Sequence, residues 1–344
     1  MRAVVTEGVG AVTVRERPDP PPPGPRQVVI HPQATGICGS DYHFLSGELS
    51  EAAGGRRFPR VQGHEVAGTV IALGADCRAE LRAGQQVVLY PLRSCGGCYP
   101  CSVGRPNTCD NFELIGIHVD GGLQERVLID EAQVFPLERT SAAVAALTEP
   151  VSIAVRAVNR AAVEPGERVV ILGAGPIGQC TLVVAAERGA DVLMVDLQEG
   201  RLRLAHELGA QTLLWRSADE VVAGARAWAG AAGPPVVIDA TGAPPAVRAM
   251  IDMVASAGRA IQIGMSNAEV PIRIGSLTEK ELDVRGVCCC GGGEFDEATS
   301  VVARNAPALQ RLISHEFELA RAPEALAFAM GNPEAVMKVV IHGE

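Results

Sequence analysis

The chain has 344 residues, of which 47% are hydrophobic and 20% charged, so it can bury more core than one domain usually forms. Its formal net charge of −10 argues against nucleic acid and anionic membrane surfaces as partners. Neither a signal peptide nor an apolar stretch of membrane-spanning length is recognisable. The sequence therefore predicts a cytoplasmic protein, in whose reducing environment its ten cysteines more often bind metal than form disulfides.

The N-terminal part of the chain predicts a β-rich domain. Its first residues alternate apolar and polar side chains, as an opening pair of strands does. Further short apolar runs, at residues 27–32, 65–73 and 85–90, are separated by Gly and Pro. The Pro-rich segment 18–25 fits a rigid connector between early strands better than a polyproline ligand.

The middle of the chain predicts an α/β domain with a parallel sheet. Continuous apolar strands at 168–172, 191–195, 236–240 and 260–263 alternate with helical segments, including 176–188 and 201–208. Such alternation is typical of strands that are buried on both faces and connected by helices. The chain ends in another apolar strand, at 337–341.

A Gly-rich turn follows the first of these buried strands. Gly173, Gly175 and Gly178 form the G-x-G-x-x-G pattern, with Pro176 and Ile177 between the last two glycines. The glycines allow a tight turn, a close approach of backbone to pyrophosphate and close packing of helix on strand. The helix N-terminus then offers unpaired N–H groups to phosphate, so the pattern predicts a dinucleotide site.

Asp196 ends the next apolar strand, where a carboxylate accepts hydrogen bonds from the adenosine ribose. Because a carboxylate repels a 2′-phosphate, this residue favours NAD over NADP, although Arg201 nearby can soften that preference. Thr241 and Gly264 follow the ends of two later strands and are expected to edge the cofactor cleft.

Four cysteines in a Gly- and Pro-rich loop follow the pattern C-x2-C-x2-C-x7-C: Cys95, Cys98, Cys101 and Cys109. Four thiolates at such spacing favour a closed tetrahedral zinc site, which holds a loop and performs no chemistry. The alternatives are an iron–sulfur cluster, whose common spacings differ, and unrelated buried cysteines.

A second set of possible metal ligands is dispersed along the chain. Cys38 lies in GICGSDYH, His64 and Glu65 in GHE, and Glu149 in TEP. Taken singly, each of these four residues is explained by an ordinary structural role. Together they offer one thiolate, one imidazole and two carboxylates, enough for a three-ligand zinc site with an open position.

Three smaller hypotheses concern other residues. The consecutive Cys288, Cys289 and Cys290 are predicted to lie on a buried strand, because successive side chains there point to opposite faces and cannot easily share one ion. His118 is a candidate for the substrate cleft, with an ordinary loop histidine as the alternative. A guanidinium can bind a sugar carboxylate or phosphate, and the candidates for this role are Arg56, Arg57 and Arg93. Solvated surface arginines are the more common alternative.

The order of these motifs resembles the zinc-containing medium-chain alcohol dehydrogenase superfamily over essentially the whole chain. The matching segments are GICGSDYH, GHE followed by AGTVIALG, the four-cysteine loop, TEP and GAGPIG. SCGGCYPCSVGRPNTC followed by IGIHVDGG is similar to the branch of sorbitol, galactitol-phosphate and galactonate dehydrogenases, with threonine dehydrogenase as a cousin.

The resemblance implies a GroES-like β-barrel catalytic domain at 1–151, an inserted Rossmann domain at 152–288 and a return to the catalytic domain at 289–344. It implies catalytic zinc on Cys38 and His64, with Glu65 and Glu149 as alternative or exchanging ligands. It further implies one structural zinc per chain, a proton relay through Ser40 and His43, and assembly as homodimers or homotetramers.

The predicted function is transfer of a hydride to NAD from a secondary alcohol of a polyol or sugar acid. Zinc would bind the substrate hydroxyl at its open position and lower the pKa of that hydroxyl. A threonine-type or simple secondary-alcohol dehydrogenase is an alternative. A catalytically silent, nucleotide-binding regulator on the same scaffold is another, because a fold alone does not establish an activity.

Overall fold

The computed structural model describes residues 1–48 and 58–343, so the predicted Arg56 and Arg57 lie outside the described residues. The chain forms two compact units. The first comprises the residues up to Glu149 and those from Gly291 onward, and the second is Pro150–Cys290. The boundaries expected from the sequence lie within two residues of these.

The strands, numbered along the chain, are β1 Arg2–Gly8, β2 Ala11–Glu16, β3 Gln27–Gly36, β4 Arg60–Val61, β5 Glu65–Leu73, β6 Gln86–Leu89, β7 Leu92–Arg93, β8 Glu113–Leu114, β9 Val127–Asp130, β10 Val134–Pro136, β11 Arg168–Leu172, β12 Asp191–Asp196, β13 Gln211–Leu214, β14 Val236–Asp239, β15 Arg259–Gln262, β16 Asp283–Gly286, β17 Ile313–Glu318 and β18 Lys338–His342. The helices are α1 Gly39–Ser46, α2 Tyr99–Ser102, α3 Ala142–Ala145, α4 Thr148–Ala161, α5 Pro176–Glu187, α6 Glu199–Glu207, α7 Ala218–Ala229, α8 Pro244–Met253, α9 Ile274–Glu279, α10 Gly292–Gln310 and α11 Ala322–Gly331. None of the helices in the described ranges is both long and apolar enough to cross a membrane.

The first unit is built on a seven-stranded sheet, ordered β10-β6-β5-β3-β18-β17, with β9 also pairing with β3. All pairs are antiparallel except β17 with β18. The C-terminal strand β18 lies beside β3, and β3 in turn pairs with β5 so that Gly36 faces Glu65. This pairing carries residues from near both ends of the chain to the same place in the unit.

The second unit has a six-stranded parallel sheet, ordered β13-β12-β11-β14-β15-β16. Strands β11, β12 and β14 are almost wholly buried, which is why they read as continuous apolar runs rather than alternating ones. The strand order reverses at β11, and ligands bind at the carboxyl ends of strands at such a reversal. The predicted α/β fold with a Rossmann-like sheet is confirmed.

The predicted buried strand at Cys288–Cys290 is wrong. Strand β16 ends at Gly286, Cys288 is exposed and only Cys290 is buried. Cys289 has φ +45°, in the left-handed region that interrupts an extended strand.

Candidate metal and dinucleotide sites

The four-cysteine loop brings its thiols into one cluster. Sγ–Sγ distances are 3.4 Å for Cys98–Cys101 and Cys95–Cys109, and 3.7 Å for Cys98–Cys109. All four sulfurs lie within 4.8 Å of one another, and none is in a disulfide. A ZnS4 tetrahedron with bonds of about 2.3 Å has edges of about 3.8 Å, so the cluster fits zinc.

Backbone N–H groups support thiolates in this cluster. Cys109 Sγ accepts from the N–H of Cys95 at 3.2 Å and from that of Asn111 at 3.3 Å. A hydrogen bond from the Gly97 N–H is the main cause that lowers the pKa of Cys95 to about 6. Because zinc binds the thiolate form, these donors favour the state in which metal binds.

The dispersed set also comes together, through the pairing of strands. Cys38 follows β3 and precedes α1, His64 precedes β5, and Glu65 is the first residue of β5. One ligand atom from each of these three lies within 4.8 Å of the other two. His64 and Glu65 are only 3% and 1% exposed. The first unit thus contains a group of soft and hard donors, two of them buried, that suits zinc.

Asp41, a residue the sequence analysis missed, lies beneath His64. Its buried carboxylate accepts from the Cys38 N–H at 2.9 Å and the Gln62 side-chain amide at 3.2 Å, and lies 4.0 Å from His64 Nδ1. Burial alone would lower the pKa of His64, but the charges of Asp41, Cys38 and Glu149 raise it well above its ordinary value. Asp41 therefore acts on the imidazole through its charge, because His64 Nδ1 is buried 4.0 Å away and makes no hydrogen bond. The only sequence signal for it was its place in GICGSDYH.

Lys338 on β18 is a second missed residue. Its Nζ lies 2.7 Å from both carboxylate oxygens of Glu65 and donates to the Ile37 carbonyl at 3.0 Å. Gly36 makes room for this pair, because a Cβ there would lie 2.0 Å from Glu65 Oε2. Lysine and glutamate are both almost fully buried, so each neutralises a charge that would otherwise be costly.

Glu149, in the first turn of α4, is partly buried. It does not belong to the group of atoms within 4.8 Å that contains Glu65. Burial raises the pKa of Glu149 to about 7; the charge of Glu65 adds to the rise and that of His64 opposes it. These mutual effects place Glu149 within electrostatic reach of His64 and Glu65.

The predicted relay residues, Ser40 and His43, lie three positions apart on α1. Ser40 Oγ lies 3.5 Å from His64 Nε2. His43 is exposed, and its Nδ1 lies 2.8 Å from Glu48 Oε2. One of the two side chains thus faces the candidate metal ligands and the other faces solvent.

The Gly-rich turn has the geometry that its glycines predict. Gly173 has φ +97°, and α5 begins at Pro176 with Gly175 as its N-cap. A Cβ on Gly178 would lie 1.8 Å from the Gly173 carbonyl oxygen, whereas a Cβ on Gly175 would meet only the Arg201 guanidinium, at 3.8 Å. Gly178 is therefore required for packing, and Gly175 leaves open space above the helix N-terminus.

Asp196 closes this turn and lines a cavity of about 260 Å³. Its carboxylate accepts from the Ala174 N–H at 2.6 Å and the Gln198 N–H at 2.8 Å. The same cavity is lined by Arg201, Thr241 and Trp215, the last of which the sequence analysis missed. The cavity is mainly apolar with a carboxylate at one side, as an adenosine site requires.

Gly264 lies where the loops that follow β14 and β15 meet. A Cβ on Gly264 would lie 2.1 Å from the Gly242 nitrogen, so the loops after β14 and β15 touch through their backbones. The carboxylate of the buried Asp239 accepts hydrogen bonds from the N–H groups of Thr241 and Gly242 and from the Gln262 side chain. These hydrogen bonds hold both loops in place. Gly264 does not line the cavity that holds Asp196.

Two residues that were predicted to contact the substrate, Arg93 and His118, interact with neighbouring residues of the first unit. Arg93 lies 3.4 Å from Glu113 on the surface. His118 Nδ1 accepts from the Leu114 N–H at 3.0 Å, and its ring packs edge-on against Phe112. The histidine contacts are those of an ordinary loop residue.

Comparison with known proteins agrees with this geometry. The alcohol dehydrogenase GroES-like domain matches residues 24–139, and the zinc-binding dehydrogenase family matches residues 176–304. L-galactonate-5-dehydrogenase of Escherichia coli K12 is 31% identical, with 93% of each chain covered. A zinc-binding dehydrogenase of Sinorhizobium meliloti 1021, solved with NADP, is 32% identical with a TM-score of 0.90, covering 99% of this chain and 98% of that one. An alcohol dehydrogenase of E. coli CFT073, solved with NADH, is 26% identical with a TM-score of 0.89 and 99% of both chains covered.

A GroES-like unit with two groups of metal donors, joined to a Rossmann-like unit, defines a zinc-containing dehydrogenase. The chain belongs to the zinc-containing, NAD(P)-dependent alcohol dehydrogenase family.

Proposed function

We propose that this chain oxidises a secondary hydroxyl of a polyol or sugar acid, with NAD as the hydride acceptor and zinc at the Cys38–His64 group. The observation that carries the proposal is the convergence of Cys38, His64 and Glu65, with Glu149 in electrostatic reach. The similarity to a galactonate dehydrogenase supports the substrate class. A second, structural zinc on the four-cysteine loop is part of the proposal.

Glu149, rather than Glu65, completes the catalytic ligand set in this proposal. Lys338 binds both oxygens of Glu65, although Glu65 lies nearer to Cys38 and His64. A carboxylate held by an ammonium group in this way is a weak donor to a second cation. The charge of Lys338 also lowers the pKa of Glu149, but its Nζ lies 2.7 Å from both carboxylate oxygens of Glu65.

Four residues of the chain have distinct roles in the proposed reaction. Zinc, when bound, supplies a Lewis acid that lowers the pKa of a substrate hydroxyl. Ser40, beside His64 Nε2, accepts the hydroxyl proton, and His43 passes it to solvent from its exposed position on the same helix. Asp41 supplies a negative charge 4.0 Å from His64 Nδ1. The hydride chemistry itself belongs to the nicotinamide.

A substrate panel followed by NADH absorbance tests this function. Aldonates, polyols, polyol phosphates, threonine and simple secondary alcohols would be compared at equal concentration. The proposal expects the highest kcat/KM among the polyols and aldonates. A preference for threonine or 2-propanol assigns the alternative enzyme classes, and no turnover with one zinc per chain assigns the silent regulator.

The preference for NAD is tested at Asp196. Asp196→Ser removes a charged hydrogen-bond acceptor worth about 1.5–3 kcal/mol, so kcat/KM for NAD should fall about ten- to a hundredfold, while kcat/KM for NADP falls less or rises. Steady-state kinetics with both cofactors measures the change. Asp191→Ser, at the exposed start of the same strand, is the matched control and should leave both values unchanged. An unaltered NAD/NADP ratio in Asp196→Ser contradicts the assignment.

Two alanine variants separate packing from cofactor binding in the Gly-rich turn. Gly178→Ala should destabilise the protein by about 1–3 kcal/mol, because its Cβ overlaps the Gly173 carbonyl. Gly175→Ala should leave stability unchanged, since its φ of −71° suits alanine, but should weaken NADH binding. Denaturant midpoints and NADH fluorescence titration measure the two effects. Equal stability losses in both variants would overturn this division.

The expected ligands, assembly and cellular compartment belong to the same proposal. A net charge of −10 argues against nucleic acid and membrane partners, which leaves the small alcohol as the principal ligand. The resemblance to the family supports a homodimer or homotetramer, and the sequence supports a cytoplasmic location. Sedimentation velocity measures the first, and detection of the native chain in cell fractions measures the second.

A further inference from the structure

Three consecutive cysteines follow β16 and take no part in either group of metal donors. Cys288 is exposed, Cys289 is half-buried and Cys290 is 3% exposed. The backbone of Cys289 is left-handed, with φ +45°, which is costly for a residue with a Cβ. A strained turn therefore presents two of the three thiols toward solvent.

The thiols divide into a pair and a single residue. The Sγ atoms of Cys288 and Cys289 lie 4.0 Å apart. Cys290 turns inward, where its Sγ lies 3.0 Å from Ser152 Oγ on α4. The first two cysteines are thus placed to react with each other, and the third is engaged elsewhere.

Cys288 is also an acidic thiol. A hydrogen bond with Cys289 lowers the pKa of Cys288 to about 7; burial opposes the shift and the positive charge of Arg156 adds to it. A lowered pKa increases the thiolate fraction at neutral pH, and the thiolate is the form that reacts with oxidants.

We propose that Cys288 and Cys289 form a redox-active vicinal pair, which a hydroperoxide oxidises to a reversible disulfide. The Cys288 thiolate attacks the peroxide, breaks the O–O bond and becomes a sulfenic acid, while the departing oxygen leaves as water or alcohol after taking up a proton. Cys289 sulfur then attacks the sulfenic sulfur, so an S–S bond forms, the S–O bond breaks and a second water leaves with the Cys289 proton. Two thiols lose two electrons, which reduce one peroxide.

The geometry of neighbouring residues makes such a bond labile. Their Cα atoms lie about 3.8 Å apart across a trans peptide, below the usual disulfide range of about 4.4–6.8 Å. A strained, exposed disulfide has a more oxidising potential and is readily reduced by thiols. Since it closes almost no loop, it also adds little chain-entropy stabilisation. The pair is therefore suited to reversible oxidation rather than to a permanent cross-link.

Differential alkylation of the zinc-loaded protein tests the proposal. After a stoichiometric dose of hydrogen peroxide, free thiols are blocked with iodoacetamide, and disulfides are then reduced and labelled with N-ethylmaleimide. In the tryptic peptide 286–304, Cys288 and Cys289 should carry the second label and Cys290 the first. Treatment with glutathione before blocking should abolish the second label. Zinc content, measured in parallel, should not change.

Two serine variants identify the reacting partners. Cys290→Ser should form the disulfide as the native chain does. In Cys289→Ser, Cys288 should instead be trapped by dimedone as a sulfenic acid, because the Cys289 thiol that would attack it is gone. The proposal is overturned if Cys290→Ser abolishes the disulfide, if the cross-link joins two chains, or if Cys288 and Cys289 keep the first label. None of these readouts depends on dehydrogenase activity.

Discussion

Replacement of Cys38 by serine is expected to lower kcat/KM about a thousandfold. The Cys38 sulfur belongs to the group of donor atoms within 4.8 Å that includes His64 and Glu65, and a serine hydroxyl at neutral pH is a poor zinc ligand. Lewis acid activation by a metal is worth several kcal/mol, and each 1.36 kcal/mol is a factor of ten in rate. Zinc content should fall from two per chain to one, measured by atomic emission beside the kinetics.

Cys77→Ser is the matched control for this experiment. Cys77 lies in the same unit and is also partly buried, but its thiol donates only to backbone carbonyls, those of Pro25 and Gln27. Its replacement should leave zinc content and activity unchanged. A Cys38→Ser protein that keeps both zinc ions and its activity would show that Cys38 does not hold a catalytic metal.

The features that the sequence predicted best are those whose geometry is local. The four cysteines lie within fifteen positions on one loop, and the spacing alone brings their sulfurs together. The Gly-rich turn is also local, because Gly173 and Gly178 touch across a single turn between strand and helix. Buried strands were predictable because a parallel sheet requires continuous apolar runs.

The candidate metal group of Cys38, His64 and Glu65 was predictable only in part, because its supporting contacts are remote in sequence. Lys338 is 273 positions from Glu65, and no spacing or composition connects them before β18 is placed beside β3. Asp41 is part of the GICGSDYH motif, but the motif does not show that its carboxylate is buried between the Cys38 backbone and His64. The choice between Glu65 and Glu149 likewise depends on Lys338.

The error at Cys288–Cys290 has a different origin. Three small apolar residues after a strand suit its continuation, and periodicity gives no sign of where pairing stops. The three glycines that follow, Gly291–Gly293, were the available warning, since glycine favours turns over strand interiors. The left-handed conformation of Cys289 shows that the chain turns before those glycines.

Lys338→Met is expected to destabilise the protein by about 3–5 kcal/mol. The substitution leaves the Glu65 carboxylate, 1% exposed, without its cationic partner, and an uncompensated buried charge carries a cost of this size. The denaturant midpoint of the zinc-loaded protein measures the loss. Arg82→Met, which breaks an ion pair whose two members are largely exposed, should cost less than about 1 kcal/mol and serves as the control.

The double variant Lys338→Met/Glu65→Leu separates the loss of the ion pair from the loss of a metal ligand. Because both charges are removed together, most of the lost stability should return, as it does when apolar residues replace a buried pair. If Glu149 is the carboxylate ligand, this double variant keeps two zinc ions per chain, whereas Glu149→Gln keeps one. The reverse pattern, with zinc lost from the double variant and retained in Glu149→Gln, would assign the metal to Glu65 and make Lys338 a cation that zinc must displace.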